Sequence, residues 1–359
     1  PELWKKSTRS DDDDDDDDDS SSSSWWASFF GSYKQKRKKK GKRRSDDKDG
    51  EDSLMSVLDM VRRLGTADGV NLVDFNYPQH LDGLTPATVA ATLAESNLAA
   101  GAVAVRFPAS TYRHGGAFTN PDPSIRFKAV DVVAGACKWA ESLNASGGVV
   151  IWPQFDGYDY HLQVNHTDTW NRGVTALRAA VDRPECRRVK KISYEFKPTD
   201  ASSRFAVVPS TGAALLLVRD VNRPGRFGLT LDAGHLMAAG ENPAQSAAAV
   251  AEAGALFGFQ LGDAHSRLGA EDGLAFGSVH VAGALELVYW LRSVGYDGHA
   301  YFDTFPESED PVREARYNVR VFKRMWRQAA RLEKQGMEDK LREHDAMGSL
   351  EMQEGLLVS

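Results

Sequence analysis

Short apolar runs alternate with longer amphipathic stretches along most of this chain. The runs are rich in β-branched and aromatic residues, as buried strands are. Seven such runs occur, at Val70–Phe75, Ala102–Phe107, Val149–Pro153, Ile192–Phe196, Gly228–Leu231, Phe257–Leu261 and His299–Asp303. An amphipathic helix is predicted before them, from Ser53 to Gly65. Helices are predicted between and after them at Pro86–Ala94, Ile125–Leu143, Thr169–Val181, Ser203–Arg219, Pro243–Ala253, Ala282–Val294 and Pro311–Leu332.

This alternation indicates a parallel sheet with helical crossovers, and the chain is long enough for an α/β barrel of the TIM (β/α)8 type. Seven strands are predicted, whereas such a barrel has eight. The missing strand is the first, so it lies upstream of Pro1 or the barrel is open at that point. A doubly wound open sheet is the alternative, but no glycine-rich phosphate-binding motif follows any strand.

The two ends of the chain differ from the middle. Residues 1–52 contain a run of aspartates (11–19) and a basic block (34–44), which predict a disordered, charged tail. Residues 53–333 are predicted to form the barrel, and residues 334–359 a polar C-terminal tail. The basic block has the composition of a nuclear-localisation signal or a polyanion-binding patch, although a solvated tail is the simpler interpretation.

Composition narrows the class of protein. A formal net charge of -7 gives the barrel no general affinity for nucleic acid. No apolar run is long enough to cross a membrane or to serve as a signal peptide. The two cysteines, Cys137 and Cys186, show no pairing pattern, so we expect no disulfide framework and a cytoplasmic location, with the nucleus as the alternative.

Polar side chains stand where several of the predicted strands end. Glu195 and Lys197 lie at the end of one run. Because they are two residues apart, their side chains would point to the same face of a strand. The later runs end in Asp232 with His235, in Gln260 with Asp263 and His265, and in Asp303. In an α/β barrel the carboxyl ends of the strands surround the active site. Carboxylates with histidine favour a hard or borderline divalent cation.

The motifs "YEFKP", "LDAGH", "GDAHSRLGAEDGLAFGS" and "YFDTFP" occur in this order, and "FTNPDPSIR" precedes them. Together they resemble the xylose isomerase-like TIM-barrel superfamily, particularly its xylose and rhamnose isomerases, over residues 53–332. Members of that family bind an open-chain sugar through divalent ions, and the resemblance implies the same here. Family barrels are usually dimers or tetramers, so the resemblance also implies a homo-oligomer.

The resemblance assigns roles to individual residues. Glu195 resembles the carboxylate of the substrate-side metal and Lys197 the lysine near the C1 oxygen. Asp232 resembles the carboxylate that bridges two metals, His235 a ligand of the second metal, and Asp303 the last-strand ligand of the first. From the residues alone, Glu195 and Lys197 could instead form an internal ion pair. Asp232 could instead cap the next helix.

This chain departs from the family at two places. Gln260 stands where relatives carry Asp or His, which leaves the first metal site with one negative charge fewer. The acidic pair of the second site falls on Glu271 and Asp272, at a longer spacing than in relatives; we assign Asp272, with Asp263 or His265 as alternatives. The mixed set of donors favours Mn²⁺, with Mg²⁺ or Co²⁺ as alternatives.

Trp152 and Phe155 follow the third strand, where the family places an aromatic wall of the sugar pocket. The competing interpretation is that these aromatic side chains fill the mouth of the barrel.

The predicted function is a metal-dependent isomerase of aldoses and ketoses. The catalytic residues are predicted to be Lys197, Glu195 and His235. Alternatives are a ketose 3-epimerase, a zinc-dependent DNA-repair endonuclease of the same fold, and a non-catalytic barrel. The scarcity of histidine, nine in all, argues against the endonuclease.

Overall fold

The computed structural model describes residues 56–200, 202–265 and 273–357. The helices are α1 Val57–Leu64, α2 Pro86–Glu95, α3 Ala109–Tyr112, α4 Pro123–Ser142, α5 His166–Val181, α6 Thr211–Val221, α7 Ala233–Ala238, α8 Pro243–Glu252, α9 Val281–Ser293, α10 Pro311–Lys334, α11 Met337–Glu343 and α12 Ala346–Leu357. The strands are β1 Leu72–Tyr77, β2 Ala99–Val105, β3 Gly148–Ile151, β4 Gly157–Tyr158, β5 Ile192–Glu195, β6 Phe205–Ala206, β7 Phe227–Asp232, β8 Leu256–Leu261 and β9 His299–Phe302.

Seven strands form one parallel sheet in the order β1-β2-β3-β5-β7-β8-β9. Each new strand is added beside the previous one, so the sheet curls into a nearly closed TIM-type barrel. The seven predicted strands and the fold class are therefore confirmed. The tail predicted at residues 1–52 lies outside the described residues.

Helix caps come directly from the sequence. Asp122, Asn165, Ser210 and Asp310 each accept a backbone N–H of the first turn of the helix that follows them. A side chain at this position satisfies a donor that the helix itself leaves without a partner. Proline stands in the first turn of α4 and α10, where its missing N–H costs nothing. The caps fix where each crossover helix begins.

The helix predicted at Ser203–Arg219 begins later than expected. It starts at Thr211, and the residues before it form β6, which pairs antiparallel with β4 in a small second sheet. Gly157 in β4 lies so close to Ser203 that a Cβ there would come within 1.7 Å of its hydroxyl oxygen. This small sheet thus depends on the close approach of β4 to residues 203–205, which hydrophobic periodicity does not reveal.

The prediction that the cysteines do not pair is wrong. Cys137 on α4 and Cys186, which follows α5, form a disulfide. Both side chains are fully buried in the main core. Because the residues are 49 positions apart, only the packing of α4 against the segment before β5 brings them together. Cysteine usage therefore no longer indicates a reducing compartment.

The C-terminal segment also contributes to the fold. Its described residues form α11 and α12, and Met337 at the start of α11 is buried in the core. Among the described residues, no helix combines the length and the apolar character that a bilayer crossing requires.

Candidate active site

Three carboxylates stand at one mouth of the barrel. Glu195 is the last residue of β5, Asp232 is the last residue of β7, and Asp303 directly follows β9. They are 2%, 4% and 7% exposed. Parallel strands end at the same side of a sheet, which is why positions so distant in sequence reach one place.

The carboxylates are close enough to affect one another's ionisation. Burial raises the pKa of Asp303 well above its ordinary value, and the charges of Asp232 and Glu195 raise it further. Arg106 and His235 act in the opposite direction. Buried like charges are costly unless a cation compensates them, so the cluster has the electrostatics of a cation site.

Gln260 joins this cluster from β8. It is the register partner of Asp232, and its Nε2 donates a hydrogen bond to Glu195 Oε2 at 3.0 Å. The other amide atom, Oε1, is buried and has no hydrogen-bond partner, and the same is true of Asp303 Oδ1. Orphaned buried oxygens are rare in folded proteins and call for an explanation such as an ion.

His235 lies beside the carboxylates on α7. Its Nδ1 is 3.1 Å from the carbonyl oxygen of Phe196, 3.6 Å from Glu195 Oε1 and 3.9 Å from Asp232 Oδ1. Because the carbonyl can only accept, we assign the ring proton to Nδ1, which makes Nε2 the acceptor nitrogen. Asp232 Oδ1 also accepts the His235 N–H at 2.7 Å, so Asp232 caps this helix as well as facing the cluster.

The chemical types of these donors suit a divalent cation, but the distances between them do not match those around a bound ion. It offers carboxylate, amide and imidazole donors, and two of the oxygens have no partner, as hard and borderline ions require. Yet within the described residues, no three Asp, Glu, His or Cys side chains are gathered at distances that one ion could share.

The loop predicted to hold the second acidic pair is only partly described. Asp272, like Glu271, lies outside the described residues. Asp263, one of the alternatives, is buried, and its Oδ2 accepts the backbone N–H groups of Val279 and His280. This carboxylate thus holds the loop in place.

The remaining predicted residues lie around β3 and β5. Lys197, Trp152 and Glu195 line one small cavity, and the Trp152 ring stacks on the His235 ring with centroids 6.4 Å apart. Phe155 is instead 3% exposed within the main core. That placement gives Phe155 a packing role, and its predicted contact with substrate stays a prediction.

Sequence reasoning missed Arg106, which follows β2 at the same mouth. Its guanidinium carbon lies 4.8 Å from the centroid of the Trp152 ring. A charged residue at the end of a buried strand was the signal that identified Glu195 and Asp303, and "VAVRFP" carries it too. Arg106 also lines a larger cavity of about 390 Å³, together with Gln260, His80 and Tyr301.

Comparison with known proteins agrees with this geometry. The family model described as "Xylose isomerase-like TIM barrel" matches residues 58–325. Xylose isomerase of Thermus thermophilus is 31% identical over 191 residues, which make up 52% of this chain and 48% of that protein. The chain thus matches about half the length of its curated relatives.

Solved structures show the same fold at low sequence identity. An L-ribulose 3-epimerase superposes with a TM-score of 0.60 at 16% identity, covering 78% of this chain and 93% of the other. A D-allulose 3-epimerase from Methylomonas sp. gives a TM-score of 0.58 at 18% identity, covering 75% and 91%. The fold and the family model together define an α/β barrel of the TIM type. This chain belongs to the xylose isomerase-like TIM barrel family.

Proposed function

We propose that this protein is a divalent-metal-dependent sugar isomerase that interconverts an aldose and a ketose by moving hydrogen between C1 and C2. The observation that carries the proposal is the convergence of the buried carboxylates Glu195, Asp232 and Asp303 at one barrel mouth. Similarity to a xylose isomerase supports it. The substrate is a small sugar, and a homo-oligomer in the cytoplasm is the state we expect.

The cation would be held by the three carboxylates with Gln260, and His235 would complete a second position with Asp272. Mn²⁺ suits this mixture of oxygen and imidazole donors, with Mg²⁺ or Co²⁺ as alternatives. When bound, such an ion polarises the oxygens of an open-chain sugar. It would also compensate the repulsion among the buried carboxylates.

The chain's own residues would orient the sugar and stabilise charge. Lys197 and Glu195 line one cavity, and the role we propose for the Lys197 ammonium group is to stabilise negative charge that develops on a sugar oxygen. The Trp152 ring borders the same cavity and supplies part of its apolar wall. Because Glu195, Asp232 and His235 are buried, water has little access to them.

A ketose 3-epimerase is the second candidate. L-ribulose and D-allulose 3-epimerases superpose over most of this chain. Epimerisation would use two acidic groups, one to remove and one to return a proton at C3. Glu195 and Asp303 would then exchange that proton with the sugar.

Removal of one carboxylate tests the cation site. We expect Asp303→Asn to lower the affinity for Mn²⁺ roughly 100-fold or more, since a buried charge paired with the ion is lost. Calorimetric titration of the full chain with Mn²⁺ measures this directly, and turnover of an aldose and ketose panel should fall with it. Asp131→Asn, which changes a half-exposed carboxylate on α4, is the matched control.

The products identify the reaction. Aldoses that give ketoses support the isomerase, and ketoses that give their C3 epimers support the second candidate. If the wild-type chain fails to bind Mn²⁺, or Asp303→Asn binds it equally well, the metal-dependent proposal fails. A non-catalytic barrel is then the better interpretation.

A further inference from the structure

Arg106 is held rigidly at the barrel mouth by its neighbours. Its backbone N–H donates to the carbonyl of Tyr77 at 2.8 Å, which extends the pairing of β1 with β2 by one residue. Its guanidinium group lies over the Trp152 ring. Stacking of this kind orients a planar cation while leaving its N–H groups available for in-plane hydrogen bonds.

The charge of Arg106 has no paired anion in the part of the chain that the structure describes. Its Nη1 is buried and makes no hydrogen bond. No carboxylate of a described residue lies within ion-pair distance, although Asp303 is near enough for its pKa to be lowered by the guanidinium. A buried donor without a partner is costly, so the position favours a bound acceptor.

The space beside Arg106 suits a small ligand. The cavity of about 390 Å³ that Arg106 lines is within the size range of small-molecule sites. Gln260, whose Oε1 also has no partner, lines the same cavity. His80 lines it too, but burial, together with the charge of Arg106, lowers its pKa to about 4. The histidine is therefore neutral at pH 7, and Arg106 supplies the positive charge.

We propose that Arg106 is a specificity-determining residue that binds an anionic group of the sugar, a carboxylate or a phosphate. This inference rests on the proposed function, because it takes the ligand to be a sugar bound beside Glu195 and Asp303. The guanidinium donates in-plane hydrogen bonds to two oxygens of such a group. A neutral hydroxyl would satisfy Nη1 but would leave the charge uncompensated.

Compensation of the three carboxylates is the competing role for Arg106. An arginine that only compensated the carboxylates would be expected to form an ion pair with Glu195, Asp232 or Asp303. Arg223 and Asp182 form such a pair elsewhere in the protein. Arg106 acts on Asp303 only at a distance, without an ion pair, and it borders the larger cavity. The two roles make different predictions, because compensation affects neutral and anionic ligands alike.

Binding measurements on the full chain with Mn²⁺ test the proposal. Matched ligands are D-glucose, D-glucuronate and D-glucose 6-phosphate, together with the corresponding galactose series. We expect the wild type to bind at least one anionic form roughly 10- to 100-fold more tightly than the neutral sugar. Arg106→Gln should abolish that preference, because it should weaken the anionic ligands far more than the neutral sugar. Arg106→Lys should retain part of it.

The controls separate this proposal from the isomerase proposal. Arg188→Gln removes an exposed arginine that is paired with Glu141, and it should change nothing. An anion preference that depends on Arg106 without any C1–C2 isomerisation would overturn the proposed reaction but support the anion site. Turnover of neutral sugars with equal affinity for all forms would overturn the anion site alone. So would an Arg106→Gln variant that folds, as judged by circular dichroism, and weakens all ligands equally.

Discussion

Gln260 is the residue that most distinguishes this cluster from one made only of carboxylates. Its amide donates to Glu195, which a carboxylate could not do. The hydrogen bond therefore stabilises the cluster when no ion is bound. However, the neutral amide supplies one negative charge fewer than a carboxylate would for binding the ion. An amide instead of a carboxylate at this position therefore makes the metal-free protein more stable and its affinity for the metal lower.

Gln260→Glu tests this compromise. We expect metal affinity to rise roughly tenfold, because ligand charge strengthens binding of a hard cation. The metal-free protein should lose about 1–3 kcal/mol of unfolding free energy, since a donor is lost and a fourth buried carboxylate is added. Urea unfolding with chelator and titration with Mn²⁺ measure the two effects.

The matched control is Gln245→Glu, an exposed position on α8. It should alter neither quantity. A Gln260→Glu variant that is more stable than wild type without metal would show that Glu195 does not need the amide donor.

The elements of the fold were predictable to the extent that local patterns determine them. All seven barrel strands follow from apolar runs, and the helix caps follow from Asp, Asn and Ser before amphipathic stretches. The pairing of β4 with β6 was not predictable, because two-residue strands carry no periodicity. The disulfide was not predictable either, since only the packing of α4 determines that Cys137 meets Cys186.

The same distinction holds for the candidate site. That Glu195, Asp232 and Asp303 meet follows from their positions at strand ends, which the sequence shows. The contact of Gln260 with Glu195 and the stacking of Arg106 on Trp152 depend on side-chain rotamers and on strand register. A single sequence does not determine these.

Removal of the disulfide is expected to destabilise the barrel. For a closed loop of 49 residues, the double substitution Cys137→Ala/Cys186→Ala should cost roughly 2–4 kcal/mol of unfolding free energy. Chemical denaturation of the two proteins under oxidising conditions gives the difference. As a control, the denatured wild type should show no free thiol. Two titratable thiols in that protein would contradict the pairing.

The molecule as a whole is a barrel with one seam. Within the described part of the chain, β1 and β9 end the sheet and no ladder joins them. The cavity that Arg106 lines extends along this gap, between residues of α1 and α10. The residues before Ser56 lie outside the described part.

A side-chain pair spans the seam. His299 Nε2 of β9 lies 2.8 Å from Asp74 Oδ1 of β1, and both side chains are largely buried. Asp74 also accepts the backbone N–H of Ala102 at 2.9 Å. Burial alone would lower the pKa of His299, and Lys191 adds to that, but Asp74 outweighs both and raises it. The pair thus links the two ends of the sheet most strongly when His299 is protonated.

The contribution of this pair to stability should therefore depend on pH. Because the folded-state pKa of His299 lies above the unfolded value, the stabilisation is complete below the unfolded pKa of about 6.5 and is lost as pH rises through the folded value. Asp74→Asn keeps an acceptor for Ala102 but removes the charge. The Asp74→Asn variant should lose roughly 1–3 kcal/mol of unfolding free energy at pH 5.5 and clearly less at pH 9, measured by urea unfolding.

In the His299→Gln background, the loss of unfolding free energy caused by Asp74→Asn should no longer vary with pH. A cost that is equal at both pH values in the wild-type background would mean that the seam is held by packing, and that protonation of His299 contributes nothing to closing the barrel.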